Sequence, residues 1–133
     1  MLSELKSKQL SLLVKKVDGT EIFSSKHSRL KPLVECIVLH QTELKGAVAA
    51  DKVVGLAAAK LFFYAGILKV YALTASKPAV DYLKKKKIDF VAEKIVENIC
   101  NNDGTDICPM EKMSLEFDSE ESFFLHLRRL MKI

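Results

Sequence analysis

The segment with the clearest chemical potential is DGTDICPMEKM, residues 103–113, which brings a thiol, a proline and a carboxylate together. Because proline favours the first position of a helix, Cys108 is predicted to be the N-cap of a helix that begins at Pro109. Glu111 would be its third residue, as in a capping box with sulfur in place of the hydroxyl. The helix dipole favours the nucleophilic thiolate, whereas Glu111 brings negative charge close to it. Cys108 therefore either contacts a ligand or packs as a small apolar side chain.

Two further polar residues follow apolar runs, where strands are expected to give way to helices. Asp51 is the predicted N-cap of a helix over 52–65, and Ser76 the predicted N-cap of the next helix. Helices that follow neighbouring parallel strands begin at one edge of the sheet, where open α/β sheets bind ligands. We therefore expect Asp51 and Ser76 to lie close together. Lys52 would reach an anionic ligand there or project into solvent.

A hairpin and a helix are predicted before these residues in the chain. Two β-rich runs flank an Asp-Gly pair and predict antiparallel strands near 11–17 and 20–25. The segment SRLKPLVECIVLHQTEL, residues 28–44, has apolar residues at helical spacing and predicts an amphipathic helix, with Cys36 on its apolar face.

Alternating strands and helices follow. The runs 46–66 and 67–87 each read as a strand followed by a helix, and IDFVAEKIV, residues 88–96, reads as another strand. This alternation predicts a single α/β domain over 1–133 with a parallel or mixed sheet under helical cover. A C-terminal helix over about 118–131 carries an apolar stripe, which would dock on the sheet or form a homo-oligomer contact.

Composition narrows the class of protein. The 133 residues, 49% hydrophobic and 29% charged, are typical of one globular domain, and no apolar run reaches the length of about 18 residues that a membrane span needs. Three cysteines without an export signal predict reduced thiols and a cytoplasmic location. The KKKK run at 84–87 is not accompanied by a nucleic-acid reader motif, so no nucleic-acid or membrane partner is expected.

Three segments carry a resemblance to a known family. A strand leading into ADKVVGLAAAKLFF, a second leading into TASKPAVDYL, and a later ICPME resemble domain-of-unknown-function family 1893, a group of short uncharacterised prokaryotic proteins. The resemblance covers about residues 10–115. It implies a cytidine deaminase-like fold, in which a mixed five-stranded sheet has helices on both faces in three α-β-α layers.

The wider deaminase superfamily binds zinc through H-x-E at the start of one helix and P-C-x-x-C at the start of the next. On this chain the two motifs fall on Asp51–Val53 and Ser76–Ala79. Neither cysteine ligand is present, and valine replaces the glutamate that would move protons. We therefore expect no metal and no cofactor.

Three hypotheses follow from these residues. The first is a small-molecule binding module, with a nucleotide-like ligand, on a deaminase-like scaffold without zinc ligands. Its predicted ligand-binding residues are Asp51, Lys52, Ser76, Cys108 and Glu111. The alternative is an enzyme with other chemistry, with Cys108 as nucleophile or redox centre and Asp51 as acid or base. The third is a structural or oligomer-forming protein.

Overall fold

The structure, a computed structural model, describes residues 1–27, 29–100, 104 and 106–133. Its elements in chain order are α1 (Leu2–Ser7), β1 (Leu12–Lys15), β2 (Glu21–Ser25), α2 (Lys31–His40), β3 (Val48–Val54), α3 (Leu56–Ala65), β4 (Lys69–Ser76), α4 (Lys77–Lys85), β5 (Asp89–Val96), α5 (Pro109–Ser114) and α6 (Glu120–Met131).

The strands form one five-stranded sheet in the order β2-β1-β3-β4-β5. β1 pairs antiparallel with both β2 and β3, whereas β3, β4 and β5 are parallel neighbours. The α/β class and the mixed five-stranded sheet are therefore confirmed. The predicted hairpin is present as well, and Gly19 at its turn has a φ of +95°, which glycine adopts at little cost.

The end of β3 differs from the sequence prediction. The strand continues beyond Asp51 because Val53 and Val54 stay in register with Thr74 and Ala75 of β4. These β-branched valines fit a pleated sheet better than a first helical turn. The predicted helix start at Asp51 is therefore wrong: Asp51 lies within a strand, and α3 begins at Leu56.

Two apolar clusters pack against the sheet. The larger contains buried residues of α2, α3, α4 and α6 together with alternate strand residues such as Val14 and Ala49. The smaller contains Leu5 of α1 with Leu13 and Ala50. Leu13 is next to Val14 in β1, and Ala50 is next to Ala49 in β3. Because successive strand residues point to opposite faces, the two clusters lie on opposite faces of the sheet. The sequence analysis did not predict α1.

The C-terminal helix packs against other helices. Ser119 caps α6 by accepting a hydrogen bond from the Ser122 N–H at 3.1 Å. The helix contacts α2 and α3 and buries Phe123, Phe124 and Leu127. Most of the predicted apolar stripe is therefore used within the chain.

Candidate functional site

The first turn of α3 is capped by a residue from a distant part of the chain. Gly55, the N-cap residue of α3, has no side chain to offer, and the Glu111 carboxylate takes its place. The Leu56 N–H donates to Oε2 of Glu111 at 2.7 Å and the Ala57 N–H to Oε1 at 2.9 Å. A Cβ atom on residue 55 would lie 2.5–2.6 Å from three carboxyl atoms of Glu111. Glycine at this position therefore makes room for the Glu111 carboxylate, which we call the trans cap of α3.

The helix α5, which carries Glu111, contacts α3 and is joined to it by hydrogen bonds. Its buried residues are Glu111 and Ser114, and the Ser114 hydroxyl donates to the Glu111 carbonyl at 2.7 Å. At the other end of α5, the Lys60 ammonium group donates to the Ser114 carbonyl at 2.5 Å. Burial raises the pKa of the Glu111 carboxyl, while the two amides of α3 and Lys60 oppose the shift. The docking of α5 thus depends on hydrogen bonds at both ends.

Cys108 lies where the sequence predicts, but its surroundings differ. It is the N-cap residue of α5, Pro109 begins the helix, and the thiol is buried without a capping hydrogen bond. The predicted capping box does not form because the Glu111 carboxylate contacts α3 instead. The Cys108 backbone N–H donates to the carbonyl of Ile99 at 2.9 Å.

A cleft of about 980 Å³ lies beside this trans cap. It brings together β3, the first turns of α2 and α3, the start of α5 and the end of α6. The lining residues are Ser11, His27, Arg29, Leu30, Lys31, Glu35, Asp51, Lys52, Val53, Gly55, Ala58, Ile99, Cys100, Cys108, Pro109, Met110, Glu111 and Met131. The volume is within the range of small-molecule sites, about 300–1,000 Å³. Of the predicted site residues, the cleft unites Asp51, Lys52, Cys108 and Glu111.

Asp51 is the most perturbed acid of the cleft. Its half-buried side chain accepts a hydrogen bond from the Val53 N–H at 3.3 Å, and it has no ion pair among the described residues. Burial raises the pKa of the Asp51 carboxyl to about 7, although the backbone N–H groups of Val53 and Lys52 oppose the shift. Near neutral pH this group can both give and accept a proton.

Ser76 does not join the others, which corrects the expectation that it lies next to Asp51. Asp51 is in register with Ala72, and Ser76 lies four residues farther along β4, about 13 Å away along the strand. The predicted N-cap itself is confirmed: the buried Ser76 hydroxyl accepts from the Ala79 N–H at 3.2 Å. Its position at the start of α4 makes it a structural residue.

The cleft also contains functional groups that the sequence analysis did not select. Arg29 lies in the connection between β2 and α2, and Lys31 is the first residue of α2. Both are solvent-exposed, as is Lys52. Arg29 has a φ of +74°, an uncommon conformation for a residue with a Cβ atom. Lys31 and Lys52 have no ion-pair partner within the described ranges. No local motif marks Arg29 and Lys31, because only the fold brings them into the same cleft as Asp51.

A metal site is not supported by the residues at the motif positions. No group of three or more His, Cys, Asp and Glu among the described residues could hold a metal ion. Of the residues on which the resemblance places the cysteine ligands of the deaminase motif, Ser76 is buried and used as a helix cap, and Ala79 has no donor atom. The donor set therefore does not fit a zinc ion.

In the part of the chain that the structure describes, no helix is long and apolar enough to cross a membrane.

The structure is that of an α/β protein with a five-stranded mixed sheet and a concave site at the junction of β3, α3 and α5. The chain belongs to domain-of-unknown-function family 1893 (DUF1893), whose profile matches residues 1–131. A crystal structure of a DUF1893 family protein from Thermotoga maritima, at 2.70 Å resolution, is 33% identical and superposes with a TM-score of 0.82. That match covers 99% of this chain and 86% of the other. No curated protein matches the chain.

Proposed function

We propose that this protein is a cytoplasmic small-molecule binding module with a nucleotide-like ligand, and that its site is the cleft between β3 and α5. The observation that carries the proposal is that one cleft of about 980 Å³ gathers Asp51, Lys52, Cys108 and Glu111. Residues far apart in the sequence converge there, and the half-buried Asp51 lines the cleft without an ionic partner among the described residues. Concave sites with a few convergent polar groups are the usual place for a ligand.

We further propose that the scaffold is a three-layer, cytidine deaminase-like fold without zinc ligands. The strand order β2-β1-β3-β4-β5 and the apolar clusters on opposite faces of the sheet support this architecture. Val53 and Ala79, at positions where zinc deaminases have a glutamate and a cysteine, support the absence of zinc chemistry.

A pair of matched variants tests the binding proposal. Val53 lines the cleft and is 42% exposed, whereas Val91 of β5 is 43% exposed and lies outside the cleft. Tryptophan is compatible with either strand position. Val53→Trp is expected to fill the cleft while the protein stays folded, and Val91→Trp is the control.

The measurement is a fragment screen by two-dimensional NMR on the wild-type protein and both variants. Binding compounds are expected to shift the amide signals of Lys52, Gly55 and Met110, and Val53→Trp should abolish the shifts while Val91→Trp preserves them. Compounds that bind both variants equally, or whose shifts map to other surfaces, would contradict the proposal.

The second candidate is an enzyme that uses Cys108 as a nucleophile and Asp51 as acid or base. The specific observation in its favour is the pKa of about 7 at Asp51, in the same cleft as the thiol. Burial raises the pKa of the Cys36 thiol to about 12, so Cys36 should stay unreactive. The test is the alkylation rate of each cysteine as a function of pH, read by mass spectrometry. If Asp51 activates Cys108, Asp51→Asn will change the pH profile of Cys108 alkylation; a profile identical to that of the wild-type protein would refute the activation.

The third hypothesis is an oligomer formed through α6, and little apolar surface of this helix is exposed for such a contact. Phe123, Phe124 and Leu127 are buried within the chain, whereas Leu125 and Leu130 are exposed. On α6, Leu125 and Leu130 are the large apolar side chains left exposed for a contact between two copies.

A further inference from the structure

The starts of the three parallel strands form one end of the sheet. Val48, Lys69 and Asp89, the first residues of β3, β4 and β5, are in register with one another. Neighbouring strands are about 4.8 Å apart, so the three starts lie level and span about 10 Å. The fold therefore places the segments that lead into these strands side by side.

These segments bring exposed lysines to this end of the sheet. Lys45, which precedes β3, lies against Gly66, because a Cβ atom on Gly66 would be 3.2 Å from the Lys45 Cα atom. Lys84 in the last turn of α4 and Lys87 just before β5 line a shared surface pocket with Asp89. The three lysines are solvent-exposed, and none of them has an ion pair among the described residues.

An exposed apolar side chain lies among these cations. Leu68 immediately precedes β4, the middle one of the three strands, and is 57% exposed. Its backbone N–H donates to the carbonyl of Ala47 at 2.8 Å, which fixes Leu68 beside the start of β3. Leu68 therefore has Lys45 on the side of β3 and Lys87 on the side of β5.

We infer that this surface, the basic rim formed by Lys45, Leu68, Lys84 and Lys87, binds the surface of an anionic membrane. The KKKK run alone predicts no membrane partner, but the fold adds Lys45 and Leu68 to it. Lysines attract anionic headgroups, and an apolar side chain among them inserts at the boundary between headgroups and acyl chains. The phosphate backbone of a nucleic acid would bind the lysines without using the leucine. Lysines at a helix C-terminus also offset its dipole, but Lys45 lies outside the helices.

The basic rim and the cleft are separated along the sheet. β3 runs from Val48 near the rim to Val53 in the cleft, a distance of about 17 Å along the strand. A protein bound to a membrane through the rim keeps its cleft accessible. The inference is therefore independent of the proposed binding function.

Vesicle flotation tests the inference on the wild-type protein. Vesicles of phosphatidylglycerol and phosphatidylcholine in equal parts should bind the protein, and vesicles of phosphatidylcholine alone should not. Binding to the mixed vesicles should fall as KCl is raised, because exposed charges are screened by salt. Lys45→Gln and Lys87→Gln should each weaken this binding about fivefold. Leu68→Ala should weaken it about tenfold, because the inserted side chain is lost.

Matched variants outside the basic rim serve as controls. Lys94 is an exposed lysine farther along β5, and Leu115, beyond α5, is 71% exposed. Lys94→Gln and Leu115→Ala should bind the mixed vesicles as the wild type does. Val53→Trp, which is expected to fill the cleft, should leave vesicle binding unchanged as well.

The outcomes decide between an anionic membrane and a general polyanion surface. Binding to the mixed vesicles that both rim lysine variants and Leu68→Ala weaken, and that the controls preserve, supports the inference. No flotation with the mixed vesicles at low salt, an equal loss in the controls, or unchanged binding of Leu68→Ala would overturn it. A short single-stranded DNA that binds the rim more tightly than the vesicles would also overturn it, in favour of a nucleic acid.

Discussion

Replacing Gly55 by alanine tests the trans cap directly, because the effect must depend on a residue 56 positions away in the chain. The backbone at Gly55 has φ −96° and ψ −176°, an extended conformation open to alanine. The added methyl group, however, would lie 2.5 Å from Oε1 of Glu111. The carboxylate must move, and the hydrogen bonds from Leu56 and Ala57 are lost or weakened.

The expected cost follows from these two hydrogen bonds. A bond to a charged group contributes about 1.5–3 kcal/mol, so two would contribute about 3–6 kcal/mol. Burial of the carboxylate, which raises the pKa of Glu111, offsets part of this gain. We expect Gly55→Ala and Glu111→Ala each to lower the free energy of unfolding by about 2–4 kcal/mol. With Glu111→Ala already present, Gly55→Ala should cost nothing or stabilise by about 0.4–1 kcal/mol.

The assay is urea unfolding of the wild type, the two single variants and the double variant at constant pH. The double-mutant cycle should give a coupling free energy of about 2–4 kcal/mol with unchanged m values. Glu116→Ala removes an exposed carboxylate just beyond α5, and its effect should add to that of Gly55→Ala. Additivity of Gly55→Ala with Glu111→Ala would refute the assignment of Glu111 as the cap of α3.

Three further outcomes are expected. The folded-state pKa of Asp51, about 7 against an ordinary 3.8, means that the stability contributed by the protonated carboxyl is present below about pH 4 and lost as the pH rises toward 7. Urea unfolding at about pH 4 and pH 8 measures this loss, which Asp51→Asn should remove. At the higher pH the free energy of unfolding of Asp51→Asn should exceed that of the wild type by up to about 4 kcal/mol. Equal pH dependence of the two proteins would contradict the pKa shift. Ser76→Ala should lower the free energy of unfolding, measured by thermal unfolding, by about 1 kcal/mol or more. Ser119→Ala, at an exposed N-cap, should lower it by less. Leu127→Asp, at 0% exposure, should unfold the protein, whereas Leu130→Asp, at 51%, should stay folded and, by light scattering, dissociate any oligomer formed through α6; a folded Leu127→Asp variant would contradict this packing.

Local signals in the sequence were sufficient for much of the fold. The Asp-Gly turn, the alternation of apolar runs and the prolines near helix starts act within a few residues, and the corresponding hairpin, sheet and helices are present. Ser76 and Cys108 occupy their predicted N-cap positions for the same reason. An N-cap depends on backbone geometry in one turn, which short motifs encode well.

The errors concern choices that neighbouring strands and helices decide. Asp51 resembles a cap in sequence, but pairing with β4 keeps the chain extended as far as Val54. Glu111 resembles the acid of a capping box, but α3 offers it two unpaired amides in space. Arg29 and Lys31 carried no local signal because their relation to Asp51 exists only after the sheet and α2 have packed.

The trans cap also has a consequence for the order of folding. Glu111 lies 55 residues from Leu56 and 54 from Ala57 in sequence, so this contact closes a long loop and carries a correspondingly large entropic cost. The sheet and α3 can form beforehand, from contacts between consecutive strand-helix units. The amides of Leu56 and Ala57 would then be among the last in α3 to gain protection from hydrogen exchange, and the first to lose it when α5 detaches. Their exchange rates report, in the intact protein, how often the wall of the cleft that holds Cys108 opens.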